Sequence, residues 1–305
     1  MAEQLKIRDF PLFLDTLEAA GKITQNVKLS FDAAGFKIYC KNVFARGEFV
    51  STSVYSDNEC SFCTNDVTLF IRVLKAAADS KKENSEPLSD INMSLDEPFF
   101  RINDKKFKTK LTTCSEDIIQ NSISRPVQTE MRTLFQFTTD STTIRKINQN
   151  GFIFKDPAMA RVYLETNHPE MDKNVVWARI DNDENNQNNS MTLKLGLLND
   201  IADDFEQKPN DKLIIDFDRL SLFNIVPDAG LIKIRLTDKN VLVYNCSLAR
   251  KPSAKSSGAR ASKKGGDSPA PAESADSEAL SFKSESVSTS DVHTNITLYT
   301  SLLVN

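Results

Sequence analysis

The chain has 305 residues, 40% of them hydrophobic, which is enough for about two domains with real cores. Its formal net charge of −4 argues against a protein that coats nucleic acid by bulk charge, although local basic faces remain compatible with an acidic body. No run approaches the ~18 apolar residues of a membrane span, and the opening MAEQLKIRDF lacks the apolar core of a signal peptide. We therefore expect no membrane association.

The first predicted element is a helix over residues 9–20. Asp9 suits the N-cap, and Pro11 suits the first turn, where a missing N–H leaves no hydrogen bond unmade. Four apolar residues recur at helical spacing: Phe10, Phe13, Leu14 and Leu17. Gly21 is expected to end the helix. Three strand-like runs follow it, namely VKLSF, FKIYC and EFVSTSVY.

Three further units repeat this order of a helix followed by strands. Their helices are predicted to be capped by Asn65 or Asp66, by Asp140 and by Asp218, at intervals of roughly 60–80 residues. The strand runs of the last unit, LIKIRL and VLVYNCSL, are joined by the turn TDKN. Helices followed by strands with tight turns predict an α+β fold, in which antiparallel meanders have helices on one face.

The composition changes beyond the fourth unit. Residues 253–290 are dominated by Ser, Ala, Lys, Pro and Gly, which cannot bury enough apolar area to offset chain entropy, so a disordered linker is predicted. Residues 291–305 are apolar again, and LYTSLLVN is either a terminal strand or a docking peptide for a pocket on the same chain or a neighbour.

Signals for catalysis are weak. His168 and His293 lie in no metal or nucleophile motif, and the pair Cys60 and Cys63 has no second pair to complete a zinc site. That pair precedes a helix, where a thiolate can be stabilised. The five cysteines are scattered and odd in number, which favours reduced thiols. We predict no enzyme, no catalytic residue, no metal and no cofactor.

Basic residues recur on successive predicted helices. Arg72 and Lys75 lie on the second, Arg145 and Lys146 on the third, and Arg219 on the fourth, each outside the apolar stripe. Any solvated helix face has charges, but repetition on equivalent helices favours one shared positive surface. Such a surface contacts phosphates without reading bases.

The pattern resembles a DNA sliding clamp of the proliferating-cell nuclear antigen type and its tailed-phage relatives. The resemblance covers about Gln4 to Pro252. It implies two clamp domains, at residues 1–112 and 127–252, joined by a connector at 113–126. Each domain would have two helix-plus-strand units, with helices on the inner face and sheets outside, and three subunits would close into a ring.

The most specific part of the resemblance is LIKIRLTDKNVLVYNCSLARKP, which is similar to the closing hairpin of cellular clamps and their final Leu-Ala-Pro-Lys-like run. Arg250 stands where that run has its proline. In the family this run, the loop after the first hairpin and the connector form a pocket for partner peptides. The implied pocket residues are Val43, Phe44, Ile118, Ile119, Leu248 and Ala249. The pair Val43 and Phe44 would equally suit a buried loop anchor.

The resemblance also implies which side chains face DNA. The implied residues are Lys22, Arg72, Lys75, Arg145, Lys146 and Arg219. The first helix departs from the family because it has Asp15 and Glu18 where a basic row would be expected. The long segment after Pro252 is another departure.

The implied function is a DNA polymerase processivity factor: a homotrimeric ring around double-stranded DNA, opened by a clamp-loader ATPase. Its location would be the cytoplasm or the site of DNA replication, in the host cytoplasm or nucleus if viral. Two alternatives stay open. One is a monomeric DNA-binding processivity factor, and the other is a single-strand DNA-binding protein with a regulatory tail, for which KNVFARGEF and RINDKKFKTK mix basic and aromatic residues.

Overall fold

The computed structural model describes residues 2–103, 106–127, 130–151, 160–166, 174–182, 189–203, 205, 213–216, 230–249 and 292–301. They belong to one compact unit that comprises residues 1–249 and 292–305. The predicted linker at 253–290, His168 and the predicted fourth helix with Arg219 lie outside the described residues.

The described residues of the first half of the chain include two long helices and nine strands. In chain order these are β1 (Glu3–Ile7), α1 (Phe10–Ile23), β2 (Val27–Phe31), β3 (Phe36–Lys41), β4 (Ala45–Ser51), β5 (Val54–Ser56), β6 (Cys60–Thr64), α2 (Val67–Glu83), β7 (Met93–Asp96), β8 (Phe99–Asn103) and β9 (Lys108–Thr112). A short helix follows, α3 (Glu116–Ile119), within the segment predicted to be the connector.

The second half repeats this plan. Its described elements are β10 (Thr133–Asp140), α4 (Ser141–Gly151), β11 (Ala160–Glu165), β12 (Val175–Asn182), β13 (Asn189–Ile201), β14 (Leu213–Asp216), β15 (Leu231–Thr237), β16 (Val241–Ala249) and β17 (His293–Ser301). No helix among the described residues is long and apolar enough to cross a membrane.

The described strands form two antiparallel sheets. The smaller has the order β5-β1-β7-β8-β9, and the larger has the order β14-β11-β12-β13-β10-β15-β16-β17-β4-β3-β2-β6. The larger sheet therefore runs through both halves of the chain, and β17 joins them because it pairs with β16 on one side and β4 on the other. The predicted α+β class with antiparallel sheets is confirmed.

Three of the predicted helix caps are confirmed. The Asp9 side chain accepts a hydrogen bond from the Leu12 backbone N–H at 2.9 Å, and Asp66 accepts one from Leu69 at 2.8 Å. Asp140 does the same for Thr143 at 2.8 Å. Each carboxylate satisfies a first-turn N–H that has no partner within its own helix, so a local sequence signal was enough to place these helix starts.

The prediction that Gly21 ends the first helix was wrong. Helix α1 continues to Ile23, and the Thr24 N–H closes the last turn on the Ala20 carbonyl. A Cβ atom at position 21 would lie 3.0 Å from Cγ1 of Val67, at the start of α2. The glycine therefore allows two helices to approach closely rather than stopping one.

The run EFVSTSVY was predicted as one strand, but the structure divides it. β4 ends at Ser51 and belongs to the larger sheet, whereas β5 begins at Val54 and pairs with β1 in the smaller sheet. The Ser53 carbonyl accepts hydrogen bonds from the N–H groups of Arg8 and Asp9 at the point of division. The break thus lets one segment contribute to both sheets.

One hydrophobic core extends through both halves and lies between helices and sheets. The Phe13 ring of α1 meets the Phe36 ring of β3 edge-on, with centroids 5.1 Å apart. Phe70 of α2 packs on Phe62 and Phe100, which belong to different sheets. Since side chains alternate along a strand, the half-exposed Lys37 of β3 points to the opposite face of the larger sheet from α1.

The pairing pattern exposes an internal repeat. β10 pairs with β13 and β15 as β1 pairs with β5 and β7, and β11 pairs with β12 and β14 as β2 pairs with β3 and β6. The order β15-β16-β17 matches β7-β8-β9, so β17 is the counterpart of β9. β17 lies beyond Pro252, within the segment 291–305 for which a terminal strand or a docking peptide was predicted.

Candidate nucleic-acid interface and docking pocket

The exposed faces of α1 and α2 lie side by side. Asp15, Glu18 and Lys22 follow one another at helical spacing on α1. Lys75 of α2 reaches across, with its Nζ atom 2.6 Å from a carboxylate oxygen of Glu18. Both partners are solvent-exposed, so the ion pair contributes little to stability, but it removes one net positive charge from this surface.

Helix α4 of the second half brings its charges to the same surface. Partial burial lowers the pKa of Lys22; Glu18 opposes this shift, and the positive charge of Arg145 adds to it. Arg145 therefore lies close enough to Lys22 to repel it, although the two residues belong to different halves of the chain. Lys146, the next residue of α4, is exposed, as is Arg72 on α2.

The connector runs along the larger sheet beside β3. The Lys41 N–H donates to the Ser122 carbonyl at 2.8 Å, and the Ser124 N–H donates to the Tyr39 carbonyl at 3.2 Å. These bonds fix the connector to backbone groups of β3, whose outward side chains point away from α1. The connector, with its docking candidates, is thus held by β3. The basic residues are held by the helices, which are a separate part of the fold.

The loop between β3 and β4 presents two apolar side chains to solvent. Val43 is 91% exposed and Phe44 is 53% exposed. The Asn42 carboxamide oxygen accepts hydrogen bonds from the N–H groups of Phe44 and Ala45, and its amide group donates to the Ile23 carbonyl at 3.1 Å. Because the loop is this well fixed, the exposure belongs to the fold, and the alternative of a buried loop anchor is wrong.

These side chains border a cavity of about 450 Å³. Its walls come from four places in the chain: residues 41–46, Val127 and Met131 after the connector, Lys239 and Val241 at the β15–β16 turn, and Tyr299 and Thr300 of β17. The lining is mainly apolar, with cationic side chains from Lys41, Arg46 and Lys239. Such a pocket suits an extended segment with apolar side chains and nearby acidic groups.

Glu48 of β4 is hydrogen-bonded to two residues of the cavity wall, Val127 and Tyr299. Its carboxylate accepts a hydrogen bond from the Val127 N–H at 2.9 Å, which fixes the chain directly after the connector. Burial raises the pKa of the Tyr299 hydroxyl, and Glu48, to which that hydroxyl is hydrogen-bonded, raises it further. Tyr299 therefore stays protonated at neutral pH and can donate to Glu48, so Glu48 holds together β4, β17 and the chain at Val127.

The fold of this chain is similar to that of proteins with solved structures. No protein-family model and no curated protein matches the sequence. The crystal structure of proliferating cellular nuclear antigen from Entamoeba histolytica matches with a TM-score of 0.57 at 14% identity over 100% of both chains. The PCNA of A. fulgidus, solved with the C-terminal region of FEN-1 bound to it, matches with a TM-score of 0.60 at 10% identity over 100% of this chain and 99% of that one.

The fold is that of a DNA sliding clamp. The resemblance drawn from the four sequence units is confirmed at the level of the fold, as are clamp-type halves with helices on one side and antiparallel sheets. At such low identities the likeness defines the architecture of the chain, and its function has to be argued from its own residues.

The clamp fold brings only part of the predicted pocket together. Val43 and Phe44 line the cavity. Ile118 is 65% exposed on α3, whereas Ile119 is 1% exposed and anchors that helix in the core, and neither lines the cavity. Leu248 and Ala249 lie within the larger sheet, paired with β17 through Thr294 and His293.

The predicted DNA-facing residues are better grouped. Lys22, Lys75 and Arg145 are linked by close contacts or by mutual charge effects, and Arg72 and Lys146 lie on the same helices. The cavity is also lined by residues that were not assigned to the pocket from the sequence: Lys41, Asn42, Ala45, Arg46, Val127, Met131, Lys239, Val241, Tyr299 and Thr300. The apolar run LYTSLLVN after a polar segment was the one signal for the last two.

The surroundings of Cys60 and Cys63 disfavour the thiolate that their position before a helix suggested. Cys60 and Cys63 lie on β6, and burial raises the pKa of Cys63 to about 11. Burial also raises the pKa of Cys60. All five cysteines are unpaired thiols, as predicted. The described residues contain no cluster of three or more metal-binding side chains.

Proposed function

We propose that this chain is a DNA polymerase processivity factor, a sliding clamp that encircles duplex DNA and docks replication partners at the pocket beside Phe44. The observation that supports this most strongly is the strand joint between β17 and β4. It connects two clamp-type halves within one chain, and the internal repeat provides the two edges needed to make the same joint between chains.

Those edges are β9 and the first part of β13. β9 is the counterpart of β17, and β13 at residues 189–196 is the counterpart of β4. Within the described residues, β9 pairs only with β8, and this part of β13 pairs only with β12. Pairing β9 of one chain with β13 of the next repeats the internal joint head to tail, and such an interface closes into a ring when the rotation allows it. Three subunits are proposed from the clamp fold.

The inner surface of this ring would be formed by the helices. Lys22, Arg72, Arg145 and Lys146 supply positive charge there, while the chain as a whole has a net charge of −4. A basic lining on an acidic body attracts DNA into the hole without coating the outside of the protein. Contacts to phosphates alone position DNA without sequence preference, which is compatible with sliding.

The pocket would receive extended segments of replication proteins, among them the polymerase. The clamp of A. fulgidus is described as bound by the C-terminal region of FEN-1. We infer that partner segments bind at this pocket because Val43 and Phe44 stand exposed at the rim of a pre-formed cavity. A clamp catalyses no covalent chemistry. The nine glycines among the 305 residues include no phosphate-binding loop. We therefore propose that a separate loader ATPase opens the ring.

A second candidate is a monomeric factor held on DNA by charge. The observation that favours it is the pair of exposed lysines on β9, Lys108 and Lys110. Lysines on an edge strand discourage pairing with another chain. However, Lys110 lies over the Phe99 ring of its own sheet, with Nζ 3.2 Å from the ring centroid. That contact draws the lysine charge toward its own sheet rather than across the free edge.

Threading on linear DNA distinguishes the two candidates without a loader. A closed ring enters linear duplex only over an end, so streptavidin bound to biotin at both ends is expected to abolish most binding at moderate salt. A monomer binds along the side and is indifferent to blocked ends. The measurement is the bound fraction of a fluorescent duplex with free, singly blocked and doubly blocked ends.

Single blocking is the matched control, because it adds one streptavidin but leaves one entry point. Equal binding to free and doubly blocked duplexes contradicts the ring and supports the monomeric factor. Stronger binding to single strands of the same length supports the single-strand-binding alternative instead.

A further inference from the structure

We propose that residues 302–305, Leu-Leu-Val-Asn, dock in the pocket of their own chain and must be displaced before a partner segment can bind. The pocket would then be regulated by the chain itself. The proposal deepens the proposed docking role, and it rests on that role only for its consequence for partners.

The geometry of β17 leads directly to the pocket. Ser301 lies opposite Val241 of β16, and Thr300 lies opposite Ala45 of β4. Val241, Ala45 and Thr300 all line the cavity. The Thr300 hydroxyl also donates to the Phe44 carbonyl at 3.1 Å, next to the most exposed part of the loop. β17 therefore ends at the cavity wall.

The chemistry of the segment matches that of the cavity. Three of its four residues are apolar, and the cavity is bordered by Val43 and Phe44, whose exposure leaves apolar area to cover. Four residues in extended form reach up to ~13 Å. That is long enough for the side chains of Leu302 and Leu303 to contact the loop from the end of β17.

Attachment gives this segment an advantage over any free peptide. β17 is fixed between two strands, in register with β16 from His293 to Ser301. The segment therefore has almost no linker, and a short tether corresponds to an effective concentration in the millimolar range. The same attachment favours binding of the segment to the pocket of its own chain. The segment of a second copy would begin beside a different pocket.

A fluorescent reporter at the pocket tests the proposal. In a Trp177→Phe background, Phe44→Trp places the only indole at the rim of the cavity. Three chains are compared: the full chain, one that ends at Ser301, and one with Leu302→Ser and Leu303→Ser. We expect the full chain to show blue-shifted emission and weaker quenching by iodide than the other two.

Val50→Trp in the same background is the matched control. Val50 is 38% exposed on β4 and does not line the cavity, so its emission should be the same in all three chains. If Phe44→Trp disturbs the fold, Val43→Trp takes its place.

Identical emission of the pocket reporter in all three chains overturns the proposal. A shift that disappears on dilution overturns it as well, because it would assign the pocket to the segment of a neighbouring chain. Neither readout involves DNA or a partner, so failure of the proposed clamp function would leave this result unaffected.

Discussion

Replacing Leu111 by lysine is expected to separate the proposed ring into single chains, whereas Thr112→Lys should leave it closed. Leu111 lies on the free edge strand β9, opposite Phe100, and packs partly against the core. A neighbouring β13 strand would cover it. Covering an unpaired charge costs several kcal/mol, whereas in a free chain the ammonium group can extend into water.

Thr112 is the matched control because it lies on the same strand but is exposed. The measurement is mass in solution by light scattering, at equal concentrations of the two variants and the unaltered chain. Thermal unfolding checks that both variants remain folded. A folded Leu111→Lys variant with the mass of the unaltered chain would show that β9 is not the contact between subunits.

Removing positive charge from the helices should weaken the binding of duplex DNA in a salt-dependent way. The combined change is Lys22→Ala, Arg72→Ala, Arg145→Ala and Lys146→Ala. Each phosphate contact that is lost should reduce the slope of log affinity against log salt concentration by ~0.9. Loss of several contacts should lower the affinity by ~10-fold or more at moderate salt.

A change at Glu18 is expected to have the opposite effect on DNA binding. Because its carboxylate pairs with Lys75, Glu18→Gln should release that positive charge and strengthen DNA binding. The control removes Lys6 and Lys37, two lysines on strands whose side chains are paired with Asp57 and Asp32. If loss of the four helix charges changes affinity no more than this control does, the helices do not face DNA.

The sequence predicted best what local chemistry determines. Asp9, Asp66 and Asp140 start helices because a carboxylate satisfies N–H groups within the next few residues. Gly21 shows the limit of the same reasoning, since its role depends on Val67, which is far away in sequence. The division of EFVSTSVY between two sheets also depends on distant partners.

The same distinction between local chemistry and distant partners applies to the residues predicted for the pocket. Val43 and Phe44 stood out because an apolar pair in a polar turn is visible locally. Leu248 and Ala249 were assigned to the pocket because they match the run that follows the closing hairpin of cellular clamps, but a strand more than 40 residues later pairs with them in the sheet. Sequence position cannot show which strand will pair with an apparent edge. Hence Tyr299 and Thr300 of β17 line the cavity, whereas Leu248 and Ala249 do not.

The mass of the unaltered chain in solution tests the central claim most directly. The chain has a mass of 34.1 kDa. Light scattering at micromolar concentration is expected to give three times this value, in a species that persists at moderate salt. A mass equal to that of one chain over the same concentration range would contradict the ring and favour a monomeric factor held on DNA by charge.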